Sequence, residues 1–310
     1  MMGGVDPRYR VVDEEKRAAM WLPWTTAFWM ASALVVALIV ARQAHRTRRR
    51  GLIATGQEVV VVLYLYALWQ YVRARAVTKV VGATENAHQL WRLEQRLHIA
   101  SELSIQRALI DNRPIMQFLN IYYAVFHVPA MGAVLIWLFW RHREFYARTR
   151  TSLALLIAGC ITMQAMIPMA PPRFLTDLGF VDAGLKYGLS VYGTGGSGLS
   201  NEVAAIPSLH AGWAILAGYA ALRYSTSSWR WIVVLHTALT LLAIVATGNH
   251  WWLDAVVSAM ILGLAIVLQN LVRSWIAQLF ISGGGGSASG GHTRELHSVS
   301  GGQSREVGKS

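Results

Sequence analysis

The chain has 310 residues, of which 54% are hydrophobic and only 14% are charged, with a formal net charge of +12. A soluble domain normally carries about a quarter charged residues, so this composition argues against a soluble globular protein. The basic residues gather in short segments between apolar runs, which argues against a nucleic-acid-binding protein. A single cysteine excludes a disulfide framework.

Seven apolar runs approach the length that crosses a bilayer, roughly 17–25 residues. In chain order, the expected spans are 20–41, 57–73, 115–140, 151–170, 207–224, 230–247 and 251–272. Tryptophans gather near the ends of these runs, where the amphipathic indole ring favours the headgroup region. They include Trp21, Trp24, Trp69, Trp137, Trp140, Trp229, Trp231, Trp251 and Trp252. The pattern predicts an all-α, polytopic membrane helix bundle of about seven spans.

The rest of the chain divides by composition. Residues 1–19 form a polar N-terminal tail with acidic side chains, so no cleavable signal peptide is expected. Residues 20–56 contain the first span and a basic loop, and residues 57–281 form the main membrane domain. Residues 282–310 are rich in glycine, serine and charge without apolar periodicity, which predicts a disordered tail.

The longest connection in the first half of the chain, residues 74–114, contains an amphipathic pattern. Apolar residues alternate with polar ones at roughly helical spacing: Ala87, Leu90, Trp91, Leu93, Leu97 and Ile99 against Arg92, Glu94, Gln95 and Arg96. This predicts a helix over about 84–104 that lies in the membrane interface as a lid or lipid-entry ledge, or else an ordinary connector helix. A second long loop, 171–206, contains the glycine-rich stretch 193–198.

An alternating path through these spans places several reactive residues on one membrane face. Arg173 follows the fourth span, His210 begins the fifth, and His250 and Asp254 begin the seventh. Short arginine-rich loops occupy the opposite face: 42–56, 141–150 and 224–230. The positive-inside rule makes that face cytoplasmic. We therefore expect a plasma-membrane protein with an extracytoplasmic site and a cytoplasmic C-terminus.

His250 and Asp254 are four residues apart, so they share one helix face. The carboxylate can hold one ring nitrogen and leave the other basic, which suits a neutral histidine that attacks phosphorus. The spacing is common by chance, but a carboxylate entering a membrane helix is costly unless it is paired or functional.

His210 lies one turn into an apolar run, after Pro207. Backbone amides at that helix start, together with Ser208, can bind an anionic oxygen, and the imidazole can protonate a leaving oxygen. Arg173 offers a planar fork for phosphate oxygens. The alternative roles are an interfacial histidine without function and an arginine that only extends to the membrane edge.

The segments Pro207-Ser-Leu-His-Ala-Gly212 and Gly248-Asn-His-Trp-Trp-Leu-Asp254 resemble motifs of the type 2 phosphatidic acid phosphatase (PAP2) superfamily. More narrowly, they resemble its branch containing the inositol phosphorylceramide synthases, over about residues 57–272. The resemblance implies a six-helix core formed by spans two to seven. It also implies that His250 is the nucleophile, that Asp254 orients it, and that His210 protonates the leaving group.

The chain departs from the usual superfamily pattern in the residues that bind phosphate. In the segment Pro207–Gly212, the second motif of the superfamily, Leu209 stands where glycine is usual, as the synthase-like branch tends to have. Ala243 and Ile244 stand where a Ser-Arg pair is common, and the usual first motif is absent, with Ala170-Pro-Pro-Arg173 as the best substitute. The candidate phosphate contacts are Arg173, Ser208, Asn249, Lys186 and Asn201.

Asn120, Tyr123 and His127 fall on one face of the third span at i, i+3 and i+7. Buried polar groups in a membrane helix usually face the bundle interior, so these residues either bond between helices, which we favour, or contact substrate together with Asn201. His236, inside the sixth span, has a structural role in this interpretation.

We therefore expect an integral membrane phosphatase or phosphotransferase that needs no metal or other cofactor. Its substrate is a lipid or polyprenyl phosphoester, and a transferase would use an alcohol acceptor such as inositol or a glycan. Two other classes stay open. One is a haem protein with axial ligands from His127, His210, His236 and His250, and the other is an inert lipid-binding or scaffold protein of the same fold.

Overall fold

The computed structural model describes residues 23–44, 50–76, 81–187 and 205–284. This described part contains helices and turns and no β-strand, so the all-α fold class is confirmed. Its α-helices are α1 (Trp24–Ala44), α2 (Arg50–Ala76), α3 (Ala83–Arg96), α4 (Glu102–Leu109), α5 (Arg113–Val125), α6 (His127–Arg141), α7 (Arg143–Met166), α8 (Ala183–Lys186), α9 (Leu209–Tyr224), α10 (Arg230–Ala246) and α11 (Trp252–Gly284). Two 3₁₀ turns, Pro172–Phe174 and Thr176–Leu178, lie between α7 and α8.

Helices stand at all seven positions expected for spans, but they do not all have the length and apolarity of a span. Within the described residues, three helices are long and apolar enough to cross a membrane: α1, α2 and α11. Helices α5 and α6 form a fourth candidate if the pair, bent by 48°, is one span. Helix α9, with 16 residues, and α10, with 17, are each about 25 Å long at 1.5 Å per residue, less than the roughly 30 Å hydrocarbon core. Charged residues at the start of α7 shorten its apolar part.

Small residues allow α9 to pack closely at the centre of the bundle. Ala211, Ala214 and Ala217 on its inner faces are buried. Against α10, the Thr237 hydroxyl donates to the Ala214 carbonyl at 2.8 Å, and a Cβ at Gly218 would lie 2.7 Å from the same hydroxyl. Close approach through small residues is the usual way in which membrane helices associate. It holds the start of α9 beside α5 and the end of α10.

The expected amphipathic helix over 84–104 is wrong as a single element. Helix α3 ends at Arg96, His98 takes a left-handed conformation (φ 54°), and a new helix, α4, follows. Ser101 begins α4 as its N-cap, because its hydroxyl accepts a hydrogen bond from the Ser104 amide at 3.3 Å. Of the expected apolar face, Ala87 and Leu90 are buried, whereas Leu93 and Leu97 are exposed.

The chain separates into two compact units at Gln269. Among the described residues, the unit that begins at Asn270 contains only the last turns of α11. This helix runs to Gly284, whereas the tail was expected to begin at residue 282. The expected N-terminal tail, the glycine-rich stretch 193–198 and Asn201 lie outside the described residues, as does the chain after 284. The domain boundaries expected from composition stay predictions.

Candidate active site

The site is built on the turn between α10 and α11. The Ile244 carbonyl accepts hydrogen bonds from the amides of both Asn249 (3.0 Å) and His250 (3.1 Å), so the chain reverses tightly after α10. Gly248 makes this possible, since its φ is +68° and a Cβ there would lie 3.3 Å from the Arg173 backbone nitrogen. That nitrogen donates to the Gly248 carbonyl at 2.9 Å. The turn therefore lies directly against the Pro172–Phe174 segment.

The predicted contact between His250 and Asp254 is present. His250 Nδ1 lies 3.2 Å from Asp254 Oδ2 and 2.9 Å from the Ala205 carbonyl oxygen. A carbonyl only accepts, so Nδ1 carries the hydrogen and Nε2 keeps its lone pair. Nε2 is buried without a hydrogen-bond partner, and Asp254, fully buried, also accepts from the Trp251 amide at 2.8 Å. The ring is held on one side and presents a bare nitrogen on the other.

The electrostatic surroundings favour a neutral His250. Burial lowers the pKa of the imidazole to about 4, because the charged form loses its solvation; the positive charge of Arg173 adds to this, and the hydrogen bond to the Ala205 carbonyl opposes it. At physiological pH the ring is therefore unprotonated on Nε2. A histidine nucleophile needs this state.

His210 faces His250 across a cluster of aromatic rings. Their ring centroids are 5.6 Å apart. The centroid of the His210 ring lies 4.3 Å from that of Tyr123 and 4.2 Å from that of His127. His127 is itself fixed, because its Nδ1 donates to the Tyr123 carbonyl at 3.0 Å. The structure therefore brings both histidine motifs and two of the expected pocket residues into one cluster.

Ser208 ties the two histidine-bearing helices together. Its hydroxyl caps α9 by accepting from the Ala211 amide at 3.2 Å, as its predicted place at the helix start allows. Its own amide donates to the Asp254 carbonyl at 3.3 Å, and its carbonyl accepts from the Ser258 hydroxyl at 2.8 Å. These bonds fix the start of α9 against the start of α11.

Arg173 lies at the site and is only 4% exposed. Its Nη1 donates to Asn249 Oδ1, and its Nε lies 3.3 Å from Asp182 Oδ2. Asn249 is oriented in turn, since its Nδ2 donates to the Thr247 hydroxyl at 2.7 Å. Two of the expected phosphate contacts, Arg173 and Asn249, therefore bond to each other beside His250.

A family comparison agrees with this geometry. The model of the PAP2 superfamily matches residues 88–268, more than half of the chain, and the match includes both histidines and the carboxylate. The chain belongs to the PAP2 superfamily. Membership supports an enzyme of the phosphatase type in general. Comparisons with curated proteins and with solved structures find no match.

Other residues predicted for this PAP2 site have different surroundings. In the described part of the chain, no contact joins Lys186 to the histidines; its Nζ pairs with Asp111 Oδ1 at 3.0 Å, and that hydrogen bond raises the pKa of the ammonium group. Asn120 is buried on α5 with its amide nitrogen unpartnered. His236 bonds to the Tyr122 hydroxyl, in keeping with its expected structural role.

The sequence interpretation missed two buried carboxyl groups. Glu94, assigned to the polar face of the amphipathic pattern, is fully buried and accepts from the Leu253 amide at 2.9 Å. Glu102, equally buried, accepts from the Trp252 amide at 3.1 Å. The spacing held a signal for Glu94, because it lies four residues after Leu90 and therefore on the apolar side of the helix.

Trp251 corrects a second expectation. The tryptophan pattern placed it at the headgroup level, but its side chain is fully buried. Its indole Nε1 donates to the Ala170 carbonyl at 3.0 Å, and the ring meets Phe180 edge to face at 5.8 Å. Trp251, which directly follows His250, therefore anchors the start of α11 to the segment that leads to Arg173.

Proposed function

We propose that this protein is an integral membrane phosphatase or phosphotransferase that cleaves a lipid phosphoester through a phosphohistidine intermediate on His250. The observation that carries the proposal is the state of the His250 ring. Its Nδ1 is held by Asp254 and by the Ala205 carbonyl, its Nε2 is bare, and His210 faces it at 5.6 Å between ring centroids.

The reaction follows in two balanced steps. His250 Nε2 attacks phosphorus, the bond from phosphorus to the leaving oxygen breaks, and protonated His210 gives its proton to that oxygen. Water or an alcohol then attacks the phosphohistidine while neutral His210 takes its proton. The new P–O bond forms as the N–P bond breaks, which restores both histidines. Asp254 stabilises the positive charge that the His250 ring carries in the intermediate.

Arg173 is the proposed phosphate-binding residue of the site. Its guanidinium is permanently charged and its bonds to Asn249 and Asp182 hold it beside His250. The amides at the start of α9, close to His210, add a second positive pole for an anion. Together these groups replace the Ser-Arg pair that the superfamily commonly has where this chain has Ala243 and Ile244, before the histidine that corresponds to His250.

An apolar cavity supports a lipid as the substrate. It has a volume of about 340 Å³ and is lined mainly by apolar residues of α2, α6 and α7, such as Leu65, Leu135 and Ala158. Along α7 its lining runs from Arg150 to Thr162, about 18 Å at 1.5 Å per residue, comparable with one leaflet of a roughly 30 Å hydrocarbon core.

Trp213 connects this cavity to the reactive cluster. Its side chain lines the cavity, and its ring lies 5.8 Å from His127, which packs on His210. A hydrocarbon chain in the cavity would therefore end close to the proposed general acid. We also propose that the enzyme lies in the plasma membrane with its site on the extracytoplasmic side. The reason is the arginine-rich loops, which are expected on the opposite, cytoplasmic face.

A second candidate is head-group transfer of the inositol phosphorylceramide synthase type. The observations that favour it are Leu209 in the second motif and the missing Ser-Arg pair. It uses the same nucleophile, but His250 then carries the whole phosphoryl head group, the lipid alcohol leaves, and a second alcohol instead of water accepts the head group, so one assay separates the two functions. Purified protein is incubated with lipid phosphates, polyprenyl diphosphates and phosphoinositides, with and without an inositol or glycosyl acceptor. Release of phosphate supports hydrolysis, and a new lipid product supports transfer.

The mechanism is tested with radiolabelled lipid phosphate. The label should appear on the wild-type protein and on His88→Ala, a histidine variant away from the site, and should be absent from His250→Ala. Vanadate, which imitates the five-coordinate phosphoryl centre, should inhibit turnover. Full turnover in His250→Ala, His210→Ala and Asp254→Ala would refute the mechanism. A Soret band in the purified protein would favour the haem class instead.

A further inference from the structure

Three carboxyl groups converge on the amides of Trp251, Trp252 and Leu253, where α11 begins. The first amides of a helix have no partner within it, and side chains usually supply one. Here the Trp251 amide donates to Asp254, whereas the next two amides donate to residues from other helices: Trp252 to Glu102 and Leu253 to Glu94. Helices α3 and α4 are thus bonded directly to the segment that follows His250.

Glu94 lies close enough to Glu102 for the Glu102 carboxyl group to influence its protonation. Both side chains are fully buried, and the second oxygen of each, Oε2, accepts no hydrogen bond from a donor group. Burial raises the pKa of Glu94 to about 9, and the neighbouring carboxyl group of Glu102 acts in the same direction. Two neighbouring buried carboxyls cannot both ionise at low cost, so the pair keeps a proton at neutral pH.

We propose that Glu94 and Glu102 are positioning residues, and that a proton shared between them holds the start of α11, with His250 and Asp254, in the reactive geometry. Neither residue touches the substrate in this proposal. Each acts through the backbone amide that it binds, Trp252 for Glu102 and Leu253 for Glu94, both of which lie between His250 and Asp254. The catalytic part of the proposal rests on the proposed function, whereas the shared proton does not.

The sign of the pH effect follows from the charges around the pair. The titratable groups that face Glu94 are Glu102 from α4 and Asp254 from α11. All are acidic, so loss of the shared proton adds repulsion among carboxylates beside the α11 start. We therefore expect kcat to fall as the pH rises through about 9, while KM changes little.

The activity test uses the ratio of kcat between each variant and wild type, because this ratio cancels any pH dependence that the two proteins share. Glu94→Gln keeps an acceptor for the Leu253 amide and replaces the proton by an amide hydrogen. Its kcat ratio should stay near one at neutral pH and rise above pH 9. Glu94→Ala should lower kcat by about 10- to 100-fold, as expected when the reacting group is displaced. Glu85→Gln, a change at an exposed glutamate on the same helix, is the control.

An infrared titration tests the shared proton without any turnover. Protein labelled with ¹³C-glutamate should show the carbonyl band of a protonated glutamic acid at neutral pH, and the label separates it from Asp254. The band should disappear above pH 9 and be absent in Glu94→Gln. A missing band, a flat kcat ratio in Glu94→Gln, or unchanged kcat in Glu94→Ala would each overturn the proposal. A wild-type protein inactive on every substrate would instead refute the proposed function, and the band would still decide the shared proton.

Discussion

Asp254→Asn separates two effects of this carboxylate on His250: stabilising the positive charge of the ring and fixing its tautomer. The carboxylate accepts from Nδ1 at 3.2 Å and stabilises the charge that develops on the ring. The Ala205 carbonyl, 2.9 Å from the same nitrogen, also fixes the tautomer. In the Ser-His-Asp triad the corresponding change lowers kcat by about 10⁴-fold because the wrong tautomer forms. Here the second acceptor should preserve the tautomer, so only the charge stabilisation is lost.

The expected size follows from the energy of a hydrogen bond to a charged group, about 1.5–3 kcal/mol. At 1.36 kcal/mol for each factor of ten, kcat should fall by about 10- to 150-fold. The asparagine oxygen can replace Oδ2 and keep the Trp251 amide satisfied. Its NH₂ group then occupies the place of Oδ1, which is buried without a partner, so we expect a stability loss of about 1–3 kcal/mol.

The assay is steady-state phosphate release from the best lipid phosphate, with thermal unfolding measured on the same preparations. Asp177→Asn is the matched control, since this exposed carboxylate pairs with His88 away from the site. A loss in Asp254→Asn as complete as in His250→Ala would show that the Ala205 carbonyl does not hold the tautomer. Wild-type kcat in Asp254→Asn would show that the carboxylate does not assist His250 at all.

Three further predictions concern the acid, the phosphate-binding residue and the cavity. His210→Ala should lower kcat on a lipid phosphate by about 10²- to 10⁴-fold, but much less on p-nitrophenyl phosphate, whose leaving group needs no proton; an equal loss on both substrates would argue against a general acid. Arg173→Lys should weaken vanadate inhibition at least about 10-fold, because lysine cannot present the planar fork, and unchanged inhibition would remove Arg173 from the site. Ala158→Trp should raise KM about 10-fold for a long-chain lipid phosphate by displacing about two CH₂ groups, each contributing about 0.8 kcal/mol, and should spare a short-chain analogue. Ala259→Trp, on an exposed face of α11, is its control, and equal effects on both chain lengths would refute the cavity as the chain-binding site.

The sequence by itself determined the helical fold class, the positions of the main helices and the local contact between His250 and Asp254. These depend on short-range rules: apolar runs of a given length form helices, and residues four apart on a helix meet. Ser208 as the N-cap of α9 is equally local. The resemblance to the family motifs added the expected roles of His210 and His250, since distances between residues do not by themselves assign a catalytic role.

Only the tertiary structure decided which distant groups complete the site. The Ala205 carbonyl lies 45 residues before His250, and Glu102 and Glu94 lie 150 and 159 residues before the amides they bind. No periodicity encodes such partners, because they depend on how helices pack. The same packing left Lys186 with Asp111 and brought Arg173 to Asn249. Buried polar groups need hydrogen-bond partners, and this requirement, rather than local spacing, selected the distant residues around His250.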